Sequence, residues 1–404
     1  MQMTRNAFLR SLAGAAVAGD IMGSGPAAML RAQQAARSPA RQTRITQVEI
    51  FPFSLQVKRT MHIAIGNMAA ENVLVRIQTA DGLVGWGESS PFAPVTGETQ
   101  ETDVVMGRRL AGIIRGRDPF DIPRIASDMA AHTPGFPSIK AALEMALWDL
   151  CGKITGQPVS RLLGRYRDSF ETDLTVYLDE PQVMADRAKE IVQSGFKIVK
   201  VKLGETPEKD FARMGAIRKT VGDEVRIRID ANQGWTPAEA VRALRGLEKH
   251  RLEFCEQPVV YWDWEGLKYV RDNSPIPIMA DEAVHFPQDA IQAVRHDAAD
   301  MINIKLMKSG GILQSIAIAQ NAEAANIHCM LGCMSETRVA LTAAAHVAAS
   351  QRAVLYADLD AFTEHAIDPV IGGMEVKDGT IRIPDTPGLG LDLDPAFLRT
   401  LRPA

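Results

Sequence analysis

Five ionisable residues recur through the second half of this 404-residue sequence, Lys202, Asp230, Glu256, Asp281 and Lys305, in steps of 28, 26, 25 and 24 residues. If the three carboxylates converge, they repel one another and raise each other's pKa values. A hard divalent cation relieves that repulsion, and an all-oxygen ligand set favours Mg2+ over zinc. The lysines bracket the acids in sequence, so Lys202 and Lys305 are expected on opposite sides of the cation. From there each can remove a proton from a bound carbon acid or return one. The cation would depress their pKa values, hold a substrate carboxylate and stabilise the enediolate left when an α-proton departs. Lys200 lies on the same face of "FKIVKVKLG" as Lys202 and is placed to assist that carboxylate electrostatically.

The spacing of these residues matches a repeating element. Apolar, β-branched runs occupy 173–179, 197–203, 225–231, 252–258, 277–283, 300–306, 327–333 and 353–360, separated by amphipathic stretches such as "TPAEAVRALRGLEKH". Eight strands alternating with helices predict a parallel sheet closed as a (β/α)8-type barrel. In such a barrel the C-terminal strand ends share one mouth, and each of the five ionisable residues falls near one of those ends. Scattered surface carboxylates would not keep step with the strand period. The sequence from 45 to 165 is different. Alternating runs around "ADG" predict antiparallel strands, and "SIKAALEMALWDLCGKITG" predicts an amphipathic helix stopped by Gly152 and Gly156. These features make an α+β domain ahead of a barrel at 166–370. The tail, 371–404, carries a hairpin signal at Asp378-Gly379 and is expected to pack on the first domain.

Composition narrows the functional classes. With 46 % apolar and 23 % charged residues and a net charge of −4, the chain has no electrostatic signature of nucleic-acid binding. No uninterrupted apolar run is long enough to predict a membrane span. Cys329 and Cys333, the only close cysteines, read as buried thiols rather than a metal or redox pair. Residues 1–40 read as an export signal and linker. "MTRNAFLRSLAGAAVAG" resembles a twin-arginine signal with Asn6 in place of the second arginine. A periplasmic location is therefore expected, the alternative being a cytoplasmic protein with a disordered tail. The expected partners are a small-molecule substrate and further copies of the chain in a homo-oligomer.

The motifs K-V-K (200–202), D-A-N (230–232), E-Q-P (256–258), A-D-E (280–282) and K-x-x-K-S-G-G (305–311) resemble those of the enolase superfamily, in its muconate-lactonizing branch. "GWGESSP", "GET" and "CMSET" extend the resemblance from residue 45 to about 392. It implies a (β/α)7β TIM-like barrel with an N-terminal α+β capping domain, Mg2+ on Asp230, Glu256 and Asp281, and Lys202 and Lys305 as the acid/base pair. The mandelate-racemase branch would carry a histidine base where Lys305 stands. "ADLDAF" sets Asp358 and Asp360 one residue apart on the last strand, a pair suited to a substrate ammonium group. It resembles the D-x-D motif of dipeptide epimerases, and the same match makes Thr175 and Ser335 substrate neighbours.

The expected reaction is epimerisation at the C-terminal residue of an L,L-dipeptide by 1,1-proton transfer. Ile65, where Ala-Glu epimerases commonly carry an arginine, favours an apolar side chain, although Lys58 and Arg59 are close enough in sequence to serve an acidic one. An N-acylamino acid racemase or o-succinylbenzoate synthase of the same branch is the alternative enzyme; its substrates lack the ammonium group. A non-catalytic periplasmic peptide-binding protein is the alternative of another class, and it has no use for two flanking lysines.

Overall fold

The structure, a computed structural model, describes residues 43–404. The segment read as an export signal lies outside the described residues. Strand β1 (Ile45–Leu55) alternates, burying Ile45, Val48, Ile50, Phe53 and Leu55. The next two strands, β2 (Met61–Ile63) and β3 (Gly66–Met68), form a small hairpin. They are followed by β4 (Ala70–Thr79), which pairs antiparallel with β1, and β5 (Val84–Ser89), which pairs with β4. The "ADG" turn joins β4 to β5, with Gly82 at φ 88. The helix Pro137–Thr155 packs on this sheet so closely that a Cβ on Gly87 would lie 1.9 Å from the Ala142 carbonyl oxygen. That approach accounts for "GWG". Gly156, left-handed at φ 67, ends the helix. Gly152 does not stop it; it sits inside the last turns, where a Cβ would meet Gly388 Cα at 2.5 Å.

After β6 (Ser169–Glu171) the barrel strands follow: β7 (Leu174–Val176), β8 (Ile198–Lys202), β9 (Arg226–Asp230), β10 (Leu252–Glu256), β11 (Ile278–Ala280), β12 (Met301–Ile304), β13 (His328–Leu331) and β14 (Val354–Ala357). They form one eight-stranded parallel sheet in sequential order, β7 through β14. Each of the eight predicted runs contains one of these strands. The intervening helices bury one face; Pro237–Leu247, opened by a Thr236/Glu239 capping box, buries Ala240, Val241, Ala243, Leu244 and Leu247. The two edge strands, β7 and β14, are not joined by a backbone ladder among the described residues. This seam is bridged by side chains instead: Asp360 Oδ2 accepts from Thr175 N at 2.7 Å, and Thr172 Oγ1 accepts from Leu359 N at 3.1 Å.

In the tail, β15 (Val370–Gly372) pairs with β18 (Leu391–Leu393). The hairpin of β16 (Glu375–Lys377) and β17 (Thr380–Arg382) turns through Asp378 and Gly379, both at positive φ, and continues onto β6. The end of the tail meets the first domain. Trp86 Nε1 donates to Asp392 Oδ1, Phe53 meets Phe397 edge-on at 5.5 Å, and Ala404 N donates to Ile50 O.

Candidate active site

Parallel register assembles the site level by level. Lys202 is opposite Asp230, and Asp230 opposite Glu256, at the last position of β8, β9 and β10. Asp281 and Lys305 are the first residues beyond β11 and β12. One level deeper, Thr175, Lys200 and Arg228 lie side by side. Strand β8 is buried on both faces, so its two ammonium groups project into the barrel rather than into water. Asp358 and Asp360 are not part of the last strand, which ends at Ala357; they lie in the link between it and the 3-10 turn Ala361–Glu364.

The lysines stand among the acids. Lys202 Nζ donates to Asp230 Oδ2 at 2.7 Å, and Lys305 Nζ to Asp281 Oδ2 at 2.7 Å. Lys200 Nζ lies 3.2 Å from Asp230 Oδ2, 2.7 Å from Glu256 Oε2 and 2.6 Å from Asp358 Oδ2. Thus Lys202 and Lys305 approach from strands on either side of the acids and hold different carboxylates. Burial alone would lower the pKa of Lys200 and Lys305, but the carboxylates outweigh it and raise both above the ordinary lysine value. Conversely, burial would raise Asp281, yet Lys305 and Lys308 hold it well below the carboxylate range. Asp230 is lowered in the same way by Lys202 and Lys200. Glu256 behaves differently. Burial, and then Asp230, push it up to about 8, so the lysines leave its charge under-compensated.

These residues fit a hard divalent cation. Asp230, Glu256 and Asp281 offer only oxygen and are fully buried. Glu256 Oε2 makes no hydrogen bond, its contact with Lys200 having ion-pair distance without hydrogen-bond geometry. A dication would complete that oxygen and supply the missing positive charge. The oxygens of the three acids do not all lie within 4.8 Å of one another. Among the described residues Cys333, Asp358 and Asp360 do, with one ligand atom each within 4.8 Å of the others. The oxygens of Asp230, Glu256 and Asp281 are interleaved with ammonium groups.

Several site residues had no assigned role in the sequence reading. Lys308 lies in the quoted K-x-x-K motif, and its ammonium donates to Asp281 Oδ1 at 2.5 Å, to the Asp281 carbonyl and to Asn303 O. Asn303 shares a strand face with Lys305 and donates to Glu256 Oε1 at 2.7 Å. Gln257, at φ 35, accepts from Asp281 N and Ala283 N, so it fixes the peptide that carries the third acid. Asn232 donates to Glu282 Oε1 at 3.1 Å, while burial and then Asp281 push Glu282 up to about 7. Cys333 is buried as expected, but its thiol faces Asp360 Oδ1 at 3.7 Å. Ser335 is buried; its hydroxyl has no partner, and neither do Asp358 Oδ1, Asn232 Oδ1 and Glu282 Oε2. The capping domain reaches this wall through Asn72, which donates to Ser335 O, and Glu88, which accepts from Thr337 N.

Known proteins resemble this chain over most of its length. Residues 45–164 match the mandelate racemase/muconate lactonizing enzyme N-terminal domain, and residues 183–397 match the enolase C-terminal domain-like family. The hydrophobic dipeptide epimerase of Enterococcus faecalis is 41 % identical over 355 residues, covering 86 % of this chain and 99 % of that protein. The L-Ala-D/L-Glu epimerase of Clostridium acetobutylicum is 40 % identical over 352 residues, covering 86 % and 98 %. Among solved structures, a dipeptide epimerase from Cytophaga hutchinsonii complexed with Mg and D-Ala-L-Val superposes with a TM-score of 0.87 at 38 % identity, covering 89 % of this chain and 98 % of that one.

Proposed function

The chain belongs to the enolase superfamily, with the N-terminal domain of mandelate racemase and muconate lactonizing enzymes, and from that premise we propose that it is a Mg2+-dependent dipeptide epimerase. The observation that carries this reading is the pair Lys202 and Lys305, each hydrogen-bonded to a different buried acid from strands on either side of the site. In this reading Asp230, Glu256 and Asp281 hold the ion. When bound, it supplies a positive charge that neutralises the substrate carboxylate and offsets the attraction now raising the Lys305 pKa. One lysine takes the α-proton of the C-terminal residue from one face, leaving an enediolate, and the other delivers a proton to the opposite face. The net reaction moves one proton and needs no redox partner.

Asp358 and Asp360 favour a dipeptide over an N-acylated amino acid. Both are buried, and burial followed by the neighbouring Asp358 pushes Asp360 up to about 7. A substrate ammonium group beside them would be held by charge-assisted hydrogen bonds, whereas an acyl group would leave the acids unbalanced. Thr175, whose amide donates to Asp360, and Ser335, with its free hydroxyl, serve as substrate neighbours in this reading. Relatives of nearly equal identity act on hydrophobic dipeptides and on L-Ala-D/L-Glu, so identity alone does not choose the side chain. Two cations near Ile65 are committed elsewhere: Lys58 Nζ donates to Thr363 O at 2.7 Å, and Arg59 pairs with Glu364 at 2.9 Å. Their commitment supports an apolar or uncharged side chain. If residues 1–40 direct export, peptides outside the cytoplasm are the available substrates.

A dipeptide library incubated with Mg2+-loaded protein in D2O tests the proposal by mass spectrometry. Apolar members should gain one mass unit at the C-terminal residue. A library in which only N-acylated amino acids exchange would transfer the assignment to an N-acylamino acid racemase.

A further inference from the structure

Strands β13 and β14 leave the barrel side by side. Leu331 is opposite Ala357, and Asp358 N donates to Leu331 O at 2.8 Å. The residues just beyond them, Cys333 after one strand and Asp358 and Asp360 after the other, therefore lie together. Each brings one ligand atom within 4.8 Å of the other two. Cys333 Sγ lies 3.7 Å from Asp360 Oδ1. A sulfur and an oxygen that share one tetrahedral Zn2+, with bonds of about 2.3 and 2.1 Å, stand about 3.6 Å apart. Cys329 is not in this group, so the partners of Cys333 are acids and not the neighbouring thiol.

Charge and access point the same way. Asp358 gives Oδ2 to Lys200 at 2.6 Å and, though only 4 % exposed, keeps Oδ1 without a hydrogen bond. Lys200 is shared with Asp230 and Glu256, while Asp360 is held by the Thr175 amide and the thiol, not by a cation. Two neighbouring buried carboxylates are thus left short of positive charge. Cys333 is also the most exposed of the four thiols, at 8 % against 0 % for Cys255 and Cys329, so it is the one a solvent ion reaches. One sulfur beside two carboxylates selects a borderline ion such as Zn2+, whereas the all-oxygen set of Asp230, Glu256 and Asp281 suits Mg2+.

We propose that Cys333, Asp358 and Asp360 form a Zn2+ site, and that Zn2+ and the substrate ammonium group compete for it. On binding, the Cys333 S–H bond breaks, its proton passes to solvent, and the sulfur bonds the ion as a thiolate. Zn2+ is then an inhibitor at the amine end of the site, and the three acids are left to Mg2+. The metal site stands on the geometry alone; the competition rests on the dipeptide epimerase reading.

The test uses the full chain saturated with Mg2+. Added Co2+, a stand-in for Zn2+ that reports its ligands by absorption, should give a thiolate-to-metal charge-transfer band in the near ultraviolet, and Zn2+ should displace it. Co2+ on the three acids, all oxygen, gives no such band. The near-isosteric Cys333→Ser should lack the band, and Cys329→Ser should keep it. In turnover of the fastest apolar dipeptide from the library, Zn2+ inhibition should be overcome by more dipeptide but not by more Mg2+. Measured against its own Zn2+-free rate, Cys333→Ser should need at least about tenfold more Zn2+ for the same inhibition. A wild type without the band, a band that survives in Cys333→Ser or is lost in Cys329→Ser, or inhibition relieved by Mg2+ instead of dipeptide overturns the inference. A wild type that shows the band but exchanges no dipeptide keeps the Zn2+ site and removes the epimerase reading, and the competition with it.

Discussion

Two buried ionic clusters lie one above the other inside the same barrel. In the lower cluster, Arg228 donates to Asp173 Oδ2 at 2.8 Å, to Glu253 Oε2 at 2.8 Å and to Ala357 O at 3.1 Å. Its guanidinium also faces the rings of Phe254 and Tyr356 at 5.3 and 5.2 Å. Only Asp173 Oδ1 lacks a hydrogen bond there. In the upper cluster, Glu256, Glu282, Asn232, Asn303, Ser335 and Asp358 each leave an oxygen without a hydrogen bond. Burial makes such omissions expensive unless something else completes them. The lower cluster is saturated but for that one Asp173 oxygen and holds the barrel floor, whereas the upper one is suited to receive a cation and a polar substrate.

Exchanging groups between the clusters should separate these roles. Replacing Lys202 or Lys305 by Met should lower epimerisation by about 10³-fold, the scale of a lost general acid or base, measured as stereochemical inversion by chiral chromatography. Arg228→Met should do the reverse, costing about 3–5 kcal/mol in urea unfolding because it leaves Asp173 buried and unpaired. Turnover by the fraction that remains folded should stay close to wild type. Asp358→Asn should reduce kcat/KM for dipeptides about 10- to 100-fold, the range of a hydrogen bond to a charged group. N-acylated analogues should lose nothing.

The smallest effect concerns pH. Burial holds Glu144 at about 7 and Glu256 at about 8, above the ordinary carboxyl value of 4.5. The folded chain then binds protons that the unfolded chain has released. Stability from these groups is full below 4.5 and is lost as pH rises through the folded values. Mg2+-free protein should therefore lose roughly a few degrees of Tm as pH rises from about 6 to about 9. Added Mg2+ should remove the share of Glu256, and Glu144→Gln the share of Glu144.

What the sequence made legible follows from contact range. Lys202, Asp230, Glu256, Asp281 and Lys305 keep step with the strand period, and parallel register converts that period directly into proximity. The closure of the barrel carries no such period. Thr175 and Asp360 are 185 residues apart, Lys200 and Asp358 are 158 apart, and nothing local in either stretch marks its partner. The Glu364–Arg59 ion pair is hidden for the same reason: each residue reads as an ordinary surface charge until the fold brings them together. Lys308 was visible in its motif, but its role depends on the helical turn Leu306–Ser309, which swings its amine back beneath Asp281. Gly152 misled as a helix stop because its purpose is to admit Gly388, more than 200 residues later.

The central claim is that two lysines exchange one proton at the C-terminal residue of a dipeptide. Proton NMR of an apolar L,L-dipeptide in D2O with Mg2+-loaded protein tests it most directly. The C-terminal α-proton signal should be lost alongside growth of a second diastereomer, while the N-terminal α-proton is retained. An unchanged C-terminal α-proton across the apolar, acidic and basic dipeptides would contradict it.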